Sequence, residues 1–168
     1  MRLRRMLPMY YQENESDCGP TCIKMVIDYY WKPRGQSVTE ESFKKIKKSA
    51  KKDNGSTRRK DMMDTISKTA KLQYRELDGD ENDKLLQIKE AIKKQRPVIL
   101  YVRVQGKYYH YVVAKGIDKE YIEVNDPYKW RPGQVELKYF LKKNNKSRKY
   151  GQCLSWTRLQ WGIEVYET

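Results

Sequence analysis

Between Asp17 and Trp31 apolar side chains return at almost every helical turn: Cys22, Val26, Tyr29 and Tyr30 keep a three-to-four spacing, and Ile23 and Ile27 widen the stripe. The pattern predicts a central, buried helix from about Cys18 to Trp31, capped by Ser16 or Asp17. Pro20 fits its first turn, where a missing N–H leaves no bond unmade, and Lys32-Pro33-Arg34-Gly35 ends it. A second helix is predicted from Thr39 to about Lys52, with Thr39 as cap and Glu40 and Glu41 in the first turn. A turn follows over 53–56. A third helix over about 57–71 would bury Met62, Met63, Ile66 and Ala70, and a fourth runs from Leu85 to Gln95.

After Pro97 the period changes. Val98–Val102 is a short β-rich run, and Tyr108–Ala114, Tyr121–Asn125, Gly133–Leu137 and Trp161–Tyr166 read the same way, with a hairpin turn over 116–119. Residues 137–143 read as a short helix or an extension of the strand before them. Helices followed by antiparallel strands make an α+β fold, and 168 residues without an internal repeat or an evident linker suit one domain spanning 1–168.

Composition refines this picture in three ways. Apolar residues make up only 38% and charged residues 35% of the chain, but the apolar ones cluster in periodic runs, which argues for a folded protein. The net charge of +14 favours acidic peptides or other anionic partners over a screening length of about 8 Å. Much of the excess lies in 44–52, 58–60 and 142–149, which read as solvated helix faces and a loop. Nucleic acid is therefore a disfavoured partner. Three cysteines give no disulfide framework, and no signal-peptide run or membrane-length apolar stretch is present, so a reducing, cytoplasmic setting is expected. A single histidine and the absence of a Cys-x-x-Cys pair argue against a metal site, and no cofactor is expected.

The residues with chemistry to offer are few. Cys18 opens the first helix, where the positive end of the helix dipole and unpaired backbone N–H groups favour a thiolate nucleophile. His110, the lone histidine, starts an apolar strand and is the candidate general base, although a core histidine would read the same way. Asp126, in Asn125-Asp126-Pro127 after the next strand, could orient the imidazole, although a turn-forming Asp before proline is the common alternative. Gln12, six positions before the thiol, could donate its amide to an oxyanion together with the Cys18 N–H. Cys22 falls inside the apolar stripe and Cys153 in an irregular segment, so both read as structural.

The run Gln12 to Cys22 containing Asp17-Cys18-Gly19-Pro20, followed by His110-Tyr111-Val112-Val113 and by Asn125-Asp126-Pro127, resembles the C39 peptidase family and its C39-like relatives over roughly residues 9–140. That resemblance implies a papain-like cysteine peptidase fold, with a buried nucleophile helix in the helical half and an antiparallel sheet in the second. It implies Cys18 as nucleophile, His110 as base and then acid, Asp126 as orienting group and Gln12 in the oxyanion hole. Well-known members stand in front of export ATPases and cut leader peptides after Gly-Gly. This chain lacks their membrane spans and phosphate-binding loop, which implies a peptidase module standing alone. The expected partner is a peptide or protein substrate, acidic in character, with a membrane exporter as a compatible second partner. A papain-fold acyltransferase or deamidase, or a non-catalytic peptide- or nucleic-acid-binding module, are the competing readings.

Overall fold

The computed structural model describes residues 1–51, 55–129, 133–143, 145–149, 152–157 and 159–168. The apolar stripe of the first helix appears as α1, Cys18–Trp31, in which only Cys18, Lys24 and Trp31 reach solvent. Its one buried carboxylate, Asp28, is fully used: it accepts from the Val38 N–H at 2.7 Å and the Tyr10 hydroxyl at 2.6 Å. Those bonds fasten the α1–α2 connection and the amino-terminal segment to one helix. Helix α2, Glu40–Ala50, starts on a Thr39 cap that accepts from the Ser42 N–H at 3.1 Å. Its predicted end at Lys52 and the turn residues 53–54 lie outside the described residues.

The third helix is shorter and less regular than expected: α3 spans Arg59–Asp64 and widens into a π-type turn over Thr65–Thr69. Helix α4, Glu81–Lys93, begins four residues before the first apolar residue, Leu85, because Asp80 and Asp83 cap each other's backbone N–H groups. Among the described residues no helix is long and apolar enough to cross a membrane.

One antiparallel sheet runs in the order β1 (Gln73–Glu76), β7 (Gly162–Tyr166), β2 (Val98–Val104), β3 (Tyr108–Ile117), β4 (Tyr121–Asn125) and β5 (Gln134–Glu136). The three-residue β6, Leu154–Trp156, also pairs with β2. The first half is thus not wholly helical. Strand β1 carries the exposed, polar sequence Gln-Tyr-Arg-Glu on an edge, so it has no apolar alternation to betray it. Strand β3 also runs through the predicted 116–119 turn as far as Ile117, and Asp118 makes the reversal by accepting from the Glu120 and Tyr121 N–H groups, each at 2.8 Å. The short helix α5 covers Leu137–Phe140.

Both faces of the sheet are covered. Tyr111, Val113, Ile99 and Ile163 pack against α1, α2 and α3, while Val112, Ala114, Leu100 and Val102 pack against α4, Phe140 and Trp156. Central strands β2 and β3 consequently read as near-continuous apolar runs rather than alternating ones. The pairing of β3 with β4 stops at Val113↔Asn125, so the β3 edge from His110 to Val112 continues beyond the end of its neighbour. Helix α1 brings its first turn to that edge.

Candidate active site

The site forms where the α1 amino terminus, the open β3 edge and the turn after β4 meet. Extending the β3–β4 register by one residue sets Asp126 opposite Val112, which puts it on the same face as His110 and diagonal to it. The imidazole Nε2 lies 2.6 Å from Asp126 Oδ1, with His110 only 5% and Asp126 3% exposed. That leaves Nδ1 for the Cys18 thiol, with which the ring interacts. Asp126 is held in turn by the Tyr128 N–H, which donates to Oδ1 at 2.8 Å. The carboxylate therefore serves both readings of its sequence context, shaping its own turn and gripping the imidazole. Asn125 points elsewhere, donating to the Leu7 and Pro8 carbonyls at 3.1 Å each and so fixing the amino-terminal segment across the turn.

Electrostatics favour a charged pair. Burial opposes charge on Cys18, yet the hydrogen bond and charge of His110, with N–H groups of Tyr111 and Gly19, bring its pKa below the ordinary thiol value. Burial likewise opposes charge on His110, but Asp126 first and Cys18 second outweigh it and raise the imidazole to about 9. Both shifts act toward a thiolate facing an imidazolium. Cys22, one turn along α1, is wholly buried and pushed well above the ordinary thiol range by desolvation and by the nearby Cys18 and Asp126 charges, which leaves it inert.

Gly19 has a steric reason. A Cβ there would stand 2.3 Å from Thr57 Oγ1, so only glycine lets the loop before α3 close against the Cys18 turn. The same Thr57 accepts the Tyr111 hydroxyl on its carbonyl oxygen at 2.9 Å. Asp17, the α1 cap residue, makes no capping bond with its side chain. Its buried carboxylate instead meets Lys51 at 2.5 Å and Lys47 at 3.0 Å, and Asn14 donates to it at 3.1 Å. This cluster welds α2 to the turn that presents the thiol.

Gln12 is placed differently from the other three. Its backbone N–H donates to the Pro127 carbonyl at 2.8 Å, which seats it beside the Asp126 turn. Its side-chain amide nitrogen, however, donates to the Asn14 and Glu15 carbonyls at 2.9 and 3.3 Å, so both amide protons serve that turn.

Sequence reasoning missed the cleft beside the thiol. A mostly apolar groove of about 640 Å³ is floored by tyrosines from adjacent strands and walled by the loop leading into α3. Tyr109 stacks on Tyr101 at 5.3 Å, Tyr101 leans on Tyr111 at 4.7 Å, and Tyr111 meets the edge of Trp161 at 6.2 Å. The run 58–60, expected on a solvated face away from aromatic rings, forms the basic wall of this groove. The available signal was the alternation of Tyr109 and Tyr111 on one strand face, opposite Tyr101 in the next strand.

Comparison with known proteins agrees with this architecture. The profile of the Peptidase_C39 like family matches residues 5–158, and the chain belongs to that family. No curated protein matches significantly. Among solved structures, a putative C39-like peptidase from Bacillus anthracis superposes with a TM-score of 0.68 at 14% identity, covering 99% of this chain and 98% of that one. The peptidase domain of Streptococcus ComA, a bifunctional ABC transporter of a quorum-sensing pathway, gives 0.65 at 14% identity over 97% and 100%. A double-glycine-motif protease from an AMS/PCAT transporter, solved with its leader peptide, gives 0.60 at 18% identity over 100% and 96%. At these identities the likeness establishes the papain-like C39 peptidase fold.

Proposed function

We propose that this chain is a cysteine peptidase that cleaves a peptide amide through a thioester on Cys18. The observation that carries the reading is the convergence of Cys18, His110 and Asp126, with 2.6 Å between the imidazole and its carboxylate and the thiol interacting with the same ring. The thiolate attacks the amide carbonyl carbon, forming the C–S bond while the carbonyl oxygen takes the negative charge. The Cys18 N–H, which at the first helical position has no intrahelical acceptor, is the first donor to that oxygen. Gln12 is the second donor, once its amide turns away from the Asn14 and Glu15 carbonyls. His110 Nδ1 then protonates the leaving amine as the C–N bond breaks. In the second half the neutral imidazole takes a proton from water, the hydroxide attacks the thioester, and the C–S bond breaks to free the acid and regenerate the thiolate. Asp126 holds the ring in one orientation throughout.

The substrate class follows from the family and from the likeness to a protease solved on its leader peptide: an extended peptide segment. The likeness to transporter peptidase domains makes an exporter the partner to look for. The test is mass-spectrometric. Cys18→Ala and His110→Ala should abolish both turnover and rapid alkylation by iodoacetamide, whereas Cys22→Ser should keep both. Unchanged labelling of the Cys18→Ala variant refutes the assignment. A product heavier by about one dalton with an uncut chain would identify deamidation instead.

A further inference from the structure

The groove beside the thiolate has more space and a different chemistry than two glycines would need. We infer that it is a specificity pocket for a bulky aromatic or aliphatic side chain next to the scissile bond, with an acidic residue adjacent to it, so that the preferred substrate is not a Gly-Gly peptide. The inference rests on the Cys18 peptidase reading and adds the side chains that the peptidase selects.

Three observations support it. The groove opens beside the Cys18 turn: Thr57, which lines it, packs against Gly19, and Tyr111 of its floor follows His110 on the same strand. A side chain entering beside the thiolate therefore meets the aromatic floor at once. The floor is accessible, since Tyr109 and Leu159 at its mouth are each 60% exposed, an unusual cost for large apolar groups unless something covers them. Finally, the wall is cationic: Arg58, Arg59 and Lys60 line the groove, and its one carboxylate among the described residues, Glu76, is already engaged by the Trp161 indole N–H at 2.8 Å. Arg58 is paired with Asp61 at 2.7 Å. Arg59 and Lys60 line the same groove as Tyr101 and Tyr111. An apolar side chain laid on the tyrosines brings its neighbour within reach of Arg59 and Lys60, and a carboxylate there complements them.

The test uses the full chain and short alanine-frame peptides that differ only in two central residues, Phe-Glu, Phe-Lys or Gly-Gly, with the pair placed on either side of the central amide. The readout is the peptide concentration that halves iodoacetamide labelling of Cys18, which does not depend on cleavage. Phe-Glu should protect at about 30-fold lower concentration than Gly-Gly, the scale of burying one large side chain. It should also protect at about tenfold lower concentration than Phe-Lys at low salt, an advantage that shrinks as salt is added. The double change Arg59→Glu, Lys60→Glu should reverse the Glu-over-Lys order, and Tyr109→Ser should erode the Phe advantage without touching the charge preference. Equal protection by Gly-Gly and Phe-Glu overturns the inference, as does an order indifferent to both salt and charge reversal. If Cys18 alkylates no faster than an ordinary thiol, the peptidase reading fails instead, and the protection series still reports on the pocket.

Discussion

Replacing Asp126 by Asn removes one charge while keeping the size and the oxygen that accepts from His110 and Tyr128, so it isolates the electrostatic part of the site. His110 is raised from 6.5 to about 9 against a burial penalty, with Asp126 as the first favourable influence and Cys18 as the second. That net rise corresponds to about 3 kcal/mol favouring the imidazolium. With the carboxylate charge gone, burial faces Cys18 alone, and the imidazole midpoint should fall by about one to two pH units. The loss must appear on the partner too: a less protonated His110 stabilises the thiolate less, so the Cys18 midpoint should rise. Turnover, which needs both charges, should narrow from both sides of its pH profile. Because His110 is the only histidine, its ring resonance can be followed by NMR without assignment, alongside the pH dependence of Cys18 alkylation. A wild-type imidazole midpoint at the ordinary 6.5, or an Asp126→Asn variant whose two midpoints match those of the wild type, refutes the ion-pair argument.

Three further perturbations test how the site is held. Gly19→Ala forces a Cβ into the Thr57 side chain and should cost about 1–3 kcal/mol, read as a lowered thermal midpoint, with slower Cys18 labelling in the remaining fold; an unchanged midpoint contradicts the packing. Asp17→Asn removes the buried carboxylate shared by Lys47 and Lys51. Desolvation raises the Asp17 pKa, but its Lys51, Lys47 and Asn14 bonds outweigh that and lower it. Its stabilisation is therefore present above the unfolded carboxyl pKa of about 3.9 and is lost as pH falls through the depressed native value. The variant should be less stable than wild type at pH 7 by about 1–3 kcal/mol in urea titrations, and the gap should close in acid. A gap that persists below the native pKa would show that the ion pairs are not its source. Gln12→Ala should lower kcat about 100- to 1000-fold if the amide turns to meet the oxyanion, with KM little changed. A loss of melting temperature with intact kcat would confine Gln12 to the turn it bonds now.

The fold was legible wherever a segment's own residues decide its structure. Helix α1 announces itself through an apolar stripe and a proline in its first turn, and its bounds match the periodicity. Strands β2, β3 and β4 are dense in β-branched and aromatic residues and begin where expected. The missed elements are those that exist only through their neighbours. Strand β1 has exposed polar residues and is a strand because β7 offers an edge, and β6 has three residues laid along β2. The early start of α4 was readable from Asp80 and Asp83, but only if caps are weighed before apolar positions.

The same division runs through the site. Cys18, His110 and Asp126 are rare residue types in distinctive short contexts, so each could be named from its own surroundings, and the antiparallel succession of β3 and β4 gave a reason for the second and third to approach. What local context could not convey is competition for bonds. Gln12 has the right distance along the chain for an oxyanion donor, yet its amide protons are claimed by two carbonyls only two and three residues away. Asp17 has the right type and place for a cap, yet two lysines at the end of α2 claim its oxygens. The basic run at 58–60 looked solvated because nothing near it in sequence is aromatic; the tyrosines that face it come from strands more than forty residues later. Residue type and spacing therefore locate the candidate reacting groups, while the groups proposed to select are set by which distant surfaces close around them. That is why the proposed substrate preference, rather than the proposed chemistry, turns on the cleft between the α3 loop and the β2–β3 tyrosines.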